Sequence, residues 1–115
     1  RLLERNGLSL SDIDVLEIHE AFAGQVLAVL RALESDRFAR ERLGLGRRVG
    51  EVEMERVNAW GGSVSLGHPF GATGARLVTT AANRLREEDG RFAVVTACAA
   101  GGLGHAMLVE RIGEG

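Results

Sequence analysis

The chain has no lysine and no tyrosine, and only one cysteine, one proline and one tryptophan among 115 residues. A single cysteine excludes an internal disulfide framework and a cysteine-rich metal site. Four Phe and one Trp leave any core to aliphatic side chains and alanine. No run approaches the roughly eighteen apolar residues of a membrane-spanning helix, and no signal-peptide pattern opens the chain. A cytoplasmic setting is therefore the default expectation. All fourteen basic residues are arginine, which reads as G+C-rich coding rather than as function. A formal net charge of −2 gives no electrostatic case for nucleic acid or an anionic membrane. The length suits one domain or part of one. The opening Arg1-Leu-Leu-Glu-Arg5 reads as mid-helix, so a piece of a longer protein is expected.

What the chain does have is glycine. There are sixteen, about double the usual share, gathered mostly in two clusters. The larger cluster is Asn58-Ala-Trp-Gly-Gly-Ser-Val-Ser-Leu-Gly-His-Pro-Phe-Gly-Ala-Thr-Gly74, with five glycines, the only proline, the only tryptophan and a histidine. Trp60, Val64, Leu66 and Phe70 are interspersed with the glycines, which a solvated linker does not need. An ordered functional loop is expected, one whose backbone comes close to something.

The rest of the sequence predicts an α/β layered domain. Residues 1–6 end a helix, with Gly7 in its left-handed C′ position. Ser11-Asp-Ile-Asp14 is a turn, and Val15-Leu-Glu-Ile18 a short strand. Phe22, Val26, Leu30 and Leu33 fall at helical spacing and predict a helix over 20–34, with Glu20 in its first turn. Residues 35–42 predict a second short helical piece. Residues 43–57 form a polar excursion that ends in a brief strand near Arg56-Val-Asn58. Thr73 is the expected N-cap of a helix whose apolar stripe is Leu77, Val78, Ala81, Ala82 and Leu85, with the polar positions Arg84, Arg86, Glu87 and Glu88 gathered at its C-terminal end and Gly90 as its stop. Phe92-Ala-Val-Val-Thr-Ala97 is an unbroken apolar run, as in a strand covered on both faces. The second glycine cluster, Cys98-Ala-Ala-Gly-Gly-Leu-Gly104, then turns the chain into a strand over 105–111, antiparallel to the one before.

Several apparent motifs fail on inspection. His19-Glu20 opens a zincin-like pattern, but position 23 is alanine. The run Gly44-Leu-Gly-Arg-Arg-Val-Gly50 has the wrong spacing for a dinucleotide fingerprint, and Gly67 to Gly74 lacks the Lys-Ser/Thr of a phosphate loop. Three reactive side chains remain, each at the end of a regular element: His19, His68 and Cys98. Strand ends in a covered α/β sheet are where ligands gather. An imidazole and a thiol placed there could transfer protons or act covalently. A lone cysteine or histidine is more often structural. The glycines beside His68 and Cys98 weigh toward function, because they let a substrate approach.

Three motifs, in this order, resemble the C-terminal half of the thiolases, and most closely the 3-ketoacyl-CoA thiolase subunit of fatty-acid β-oxidation complexes. They are His19-Glu-Ala-Phe-Ala23, the glycine-rich run from Asn58 through Gly67-His-Pro-Phe-Gly71 to Arg76, and Cys98-Ala-Ala-Gly-Gly102. The resemblance implies an acyltransferase that cleaves 3-ketoacyl-CoA with coenzyme A, which is a substrate, and that holds no covalent cofactor or metal. It implies that His68 activates a nucleophilic cysteine and helps bind the thioester oxygen. Cys98 would be the acid/base cysteine, and the Ala100 backbone N–H would join an oxyanion hole. Gly67, Phe70 and Gly101 would shape the substrate loops. His19 stands where the common motif has asparagine, and its imidazole N–H would replace the amide as donor. The Ala100 position is often glycine in the family; alanine serves if its φ is negative.

The nucleophilic cysteine of the family lies in the N-terminal half, and this chain has no second cysteine. Residues 1–115 are then a thiolase C-terminal domain lacking its first strand. That strand is expected at the centre of the sheet, so Val15 to Ile18 and Phe92 to Ala97 should face a vacancy. The implied partners are the N-terminal thiolase half, further copies of the enzyme, and a hydratase/dehydrogenase subunit. The competing expectation is a non-catalytic assembly module that keeps the motifs by descent.

Overall fold

The computed structural model describes residues 1–113. Its sheet has three strands, β1 (Val15–Ile18), β2 (Phe92–Ala99) and β3 (Leu103–Glu110), in the order β1-β2-β3. β1 runs parallel to β2, with Val15 opposite Ala93 and Ile18 opposite Thr96. β2 and β3 form an antiparallel hairpin in which Ala99 faces Leu103. The turn between them holds Ala100, Gly101 and Gly102, and both glycines have positive φ, 85° and 75°. Glycine carries no Cβ penalty in that region, so this tight reversal needs them.

The vacancy expected at the centre of the sheet is not there. β1 and β2 bond directly to each other, and the edges left without a strand are the outer ones, that of β3 and, apart from a single bridge, that of β1. The expected strand near Arg56 is also smaller than anticipated: a 3₁₀ turn, Met54–Arg56, followed by one parallel bridge from Val57 to Leu16. The vacancy was expected from the resemblance; parallel pairing joins segments far apart in sequence, so the runs themselves carry no mark of their neighbours.

Five helices complete the layers: α1 (Leu2–Arg5), α2 (Ala23–Leu33), α3 (Asp36–Phe38), α4 (Ser63–Leu66) and α5 (Thr73–Glu87). On one face, Leu77, Ala81 and Leu85 of α5 pack on Val15, Ala93 and Val95 of the sheet. On the other, Leu16 and Val94 pack with Leu10 and Ile13 from the turn before β1. Ile18 meets Val26 and Leu30 of α2 in a third cluster. Burying such side chains contributes about 1.5–3 kcal/mol each, and this sets the helices at fixed positions on the sheet.

Several boundaries differ from the sequence expectation for physical reasons. α2 begins at Ala23 behind an extended Phe22, so Glu20 lies outside it. Ser35 caps α3 as a short second piece, its Oγ accepting from the Phe38 N–H. Thr73 is the first residue of α5 rather than its cap, which is Ala72. The left-handed residue after α5 is Asp89, at φ 53°, not Gly90. Gly90 is needed for space: a Cβ there would lie 2.9 Å from the Asp14 Cβ. Ala82, expected in the apolar stripe, is exposed, while Arg84, one of the polar positions at the helix end, is 1% exposed. Arg84 donates from Nη1 to Glu17 of β1 at 2.9 Å and to the Arg56 carbonyl at 3.1 Å, and grips Glu88 through Nε and Nη2. It thus ties α5, β1 and the residue before Val57 together. Burial works against its charge, and the carboxylates of Glu88 and Glu17 overcome that cost.

Candidate active site

At the C-terminal end of β1 the chain leaves the sheet, and here the glycine-rich loop closes over it. Asn58 makes the junction. Its backbone N–H donates to the Leu16 carbonyl, its Oδ1 accepts from the Ile18 N–H at 2.8 Å, and its Nδ2 donates to the Ile18 carbonyl at 2.9 Å. One side-chain amide therefore serves the free edge of β1 as a strand would. Asn58 has φ 48°, a left-handed conformation that asparagine tolerates better than most residues.

Glu20 is the second clamp. Its carboxylate accepts from Asn58 Nδ2 at 2.7 Å and from the Val64 N–H at 2.9 Å, an early donor of α4. Gly62 lies so close that a Cβ there would overlap the Glu20 carboxylate. These polar contacts, not apolar burial, order the loop. Trp60, Val64, Leu66 and Phe70, whose bulk argued against a linker, are all exposed, Phe70 by 90%.

The clamps bring two histidines together. The His19 N–H donates to the Thr96 carbonyl at 2.8 Å, which extends the β1–β2 ladder by one bond and fixes His19 just past the strand. His68 follows Gly67, whose φ of 95° turns the chain after α4. The two rings lie 4.2 Å apart between centroids, tilted by 43°. The Phe70 ring lies 5.0 Å from that of His68, tilted by 57°. His68 Nδ1 is 2.6 Å from Thr73 Oγ1, and that hydroxyl reaches the Pro69 carbonyl at 3.4 Å. With the Thr73 hydrogen on Pro69, His68 donates from Nδ1 and its Nε2 carries a free lone pair, the form a base requires.

His19 is buried and its environment holds it neutral. Burial lowers its pKa below the usual 6.5, and the neighbouring His68 and Arg76 charges act in the same direction, against a smaller opposing pull from Glu20. Its Nδ1 lies 2.9 Å from Ser63 Oγ, which also accepts from Arg76 Nη2 at 3.0 Å.

Cys98 sits on β2 two residues beyond Thr96, so it reaches the same end of the sheet as His19, with its thiol free and exposed. Sequence reading expected this strand to be covered throughout, but burial stops after Val95. Ala100 has a negative φ, so its N–H can take the position a glycine would give it. Gly101 follows it in the left-handed region, while Gly71, at φ 82°, closes the loop that carries Phe70. An apolar groove of about 470 Å³ runs between α5 and the strands, walled by Leu77, Val78, Val95, Ala97, His105 and Met107. None of His19, His68 and Cys98 lines it. No cluster of potential metal ligands occurs among the described residues.

Asn58, Ser63, Thr73 and Arg76 carry hydrogen bonds of the site, yet the sequence marked only Thr73 as an interacting side chain, and that as a helix cap. The signal of the other three was membership of one long motif.

A layered α/β domain with one histidine at a strand end, a second in a glycine loop beside it and a thiol at the same sheet end belongs, on its sequence, to the thiolases: residues 1–111 match the family described as "Thiolase, C-terminal domain", and the chain is a member of it. A probable 3-ketoacyl-CoA thiolase of Caenorhabditis elegans is 57% identical over 114 residues, 99% of this chain but 25% of that protein. The mitochondrial trifunctional enzyme subunit beta of Homo sapiens is 58% identical over 110 residues, 96% of this chain and 23% of that protein. The crystal structure of human mitochondrial 3-ketoacyl-CoA thiolase in complex with CoA superposes with a TM-score of 0.79 at 35% identity, covering 96% of this chain and 24% of that one. The chain thus spans about a quarter of the length of these relatives.

Proposed function

We propose that this chain forms one half of the catalytic centre of a 3-ketoacyl-CoA thiolase and supplies every catalytic group except the nucleophile. In this reading the domain is the thiolase C-terminal domain less its first strand. It works with an N-terminal half that carries the attacking cysteine, in an oligomer and alongside a hydratase/dehydrogenase subunit. The observation that carries the reading is the pair of histidines at 4.2 Å, each with its Nδ1 within hydrogen-bond reach of a hydroxyl, with Cys98 at the same end of the sheet.

In this reading each group has one role. His68, with Nε2 free, takes the proton of the nucleophilic thiol. The resulting thiolate attacks the 3-keto carbon, and the bond between C2 and C3 breaks. The electron pair stays on the departing acetyl-CoA as an enolate, and the Cys98 thiol protonates its carbon. The Cys98 thiolate so formed then takes the thiol proton of incoming coenzyme A, whose sulfur attacks the acyl group on the nucleophile and releases a shortened acyl-CoA. His19 and the Ala100 N–H donate to oxygens that gain charge, and each such preorganised donor is worth about 3 kcal/mol of barrier. The exposed thiol and the exposed Phe70 leave room for the long thioester.

The test is an assay of 3-ketoacyl-CoA cleavage by the 115-residue chain alone and again with the N-terminal half added. Activity on mixing only is the expected result. Activity from the chain alone would overturn the division of labour, because a nucleophile would then have to lie within it.

A further inference from the structure

We propose that Ser63 and Arg76 are positioning residues that hold His19 in the tautomer with its proton on Nε2, making it a hydrogen-bond donor and denying it the role of a base. The inference deepens the acyl-transfer reading, on which its catalytic consequence rests. It begins from the donor inventory of Arg76, whose guanidinium has donors only. Its Nη2 lies 3.0 Å from Ser63 Oγ, so the serine oxygen accepts there. Ser63 is buried, and its one remaining neighbour within hydrogen-bond reach is His19 Nδ1, at 2.9 Å. If Nδ1 carried the proton, the serine hydrogen would be left buried and without an acceptor among the described residues, beside a guanidinium. Leaving a buried donor unpaired costs about 1–3 kcal/mol, enough to decide between two tautomers of a neutral ring. The serine hydrogen therefore goes to Nδ1, and the ring proton sits on Nε2.

Arg76 does more than fill a lone pair. Its Nε and Nη1 are buried with no hydrogen-bond partner among the described residues, so its charge is incompletely neutralised beside the ring. That charge resists a second proton on His19, as does His68; Glu20 pulls the other way. The two histidines meet two different hydroxyls. Ser63 gives its proton to Nδ1 of His19, while Nδ1 of His68 meets the hydroxyl of Thr73. Ser63 and Thr73 belong to α4 and α5 and flank the loop that carries His68, so one loop sets both rings.

The test is ¹⁵N NMR of the full protein with labelled histidine. His19 is distinguished from His68 and His105 by single substitutions. The expected spectrum at neutral pH has His19 protonated at Nε2, with Nδ1 at the shift of an accepting nitrogen. Ser63→Ala should move Nδ1 to the shift of an unbonded nitrogen and bring in the second tautomer. Ser63→Thr, which keeps a hydroxyl, should restore the original signals. In turnover, Ser63→Ala should lower kcat/KM about tenfold, less than the 10²–10³ of losing an oxyanion donor outright. A proton on Nδ1 in the unsubstituted protein would overturn the proposal, and so would a spectrum that Ser63→Ala leaves unchanged. The spectrum does not depend on turnover. An inactive protein with the expected spectrum would therefore fault the acyl-transfer reading alone.

Discussion

Replacing Arg84 by methionine should be among the most damaging single changes to this chain. The side chain is almost wholly buried, and its guanidinium makes four hydrogen bonds to Glu17, Glu88 and the Arg56 carbonyl. Methionine fills much of the volume but satisfies none of them. Glu17, fully buried, would keep its charge with no partner, for its Oε2 already has none. Breaking a buried ion pair from one side costs about 3–5 kcal/mol. That is a large share of the 5–15 kcal/mol that typically holds a domain folded. Urea denaturation at pH 7 measures the loss.

The pH dependence then separates charge burial from lost packing. Burial already raises the Glu17 pKa above 4.5, with Arg84 opposing the rise. Without Arg84 it rises further. The sign follows: a carboxyl whose folded pKa is raised binds its proton more readily when folded, so the stability tied to it is complete below the unfolded value of 4.5 and is lost as pH climbs through the folded value. The Arg84→Met penalty should therefore shrink between pH 7 and pH 5. The double variant Glu17→Leu with Arg84→Met should recover most of the loss, since well-packed apolar replacements of a buried pair are near neutral. A penalty below about 1 kcal/mol, or one equal at both pH values, would refute the reasoning.

Other predictions follow from the site. Cys98→Ala in the complete enzyme should abolish turnover while the nucleophile is still acylated; mass spectrometry of the acyl-enzyme checks this, and turnover within about threefold of normal would return Cys98 to a structural role. Gly62→Ala should displace Glu20 and release the Val64 N–H, lowering stability by about 1–3 kcal/mol; adding Glu20→Ala should cost little more, and additive losses in the double-mutant cycle would contradict the contact. His19 has a folded pKa lowered mainly by burial, so the stability tied to its neutral form is present above 6.5 and lost as pH falls through the lower folded value. Thermal melts from pH 7.5 to 5.5 should fall less steeply for His19→Asn than for the unsubstituted protein. In cleavage, His19→Asn should keep substantial activity and His19→Ala lose about 10²-fold, because only the first retains a donor; equal losses would point to proton transfer instead.

The elements visible in the sequence were those with a local signature. Val15 to Ile18 and Phe92 to Ala97 announced strands by branched apolar content, and Cys98 to Gly104 announced a hairpin by its glycines. Leu77, Ala81 and Leu85 marked the buried face of α5. Contacts across long stretches left no such trace. Arg84 looked like one more charge at a helix end, because nothing nearby in sequence reveals that Glu17 lies under it. Asn58 looked like the start of a loop, while its role as the edge partner of Ile18 depends on a left-handed backbone and a strand 40 residues away. The vacancy expected between Val15 to Ile18 and Phe92 to Ala97 came from the resemblance alone, and the direct pairing of the two runs has no local mark in sequence.

The parallel ladder also dictates an order of assembly. β2 and β3 need only a three-residue turn to meet, whereas Asp14, at the foot of β1, reaches the Phe92 N–H across 78 residues. Closing the longer loop carries the larger entropic cost, so the hairpin should form early and β1 should join it late. His19 hangs on the last rung of that late ladder, through one amide to Thr96. The end of the sheet that carries His19 is then the last part to zip and the first to fray. Hydrogen exchange should find the His19 amide less protected than the amides of Val94 and Val95, opening in fluctuations that leave the hairpin intact.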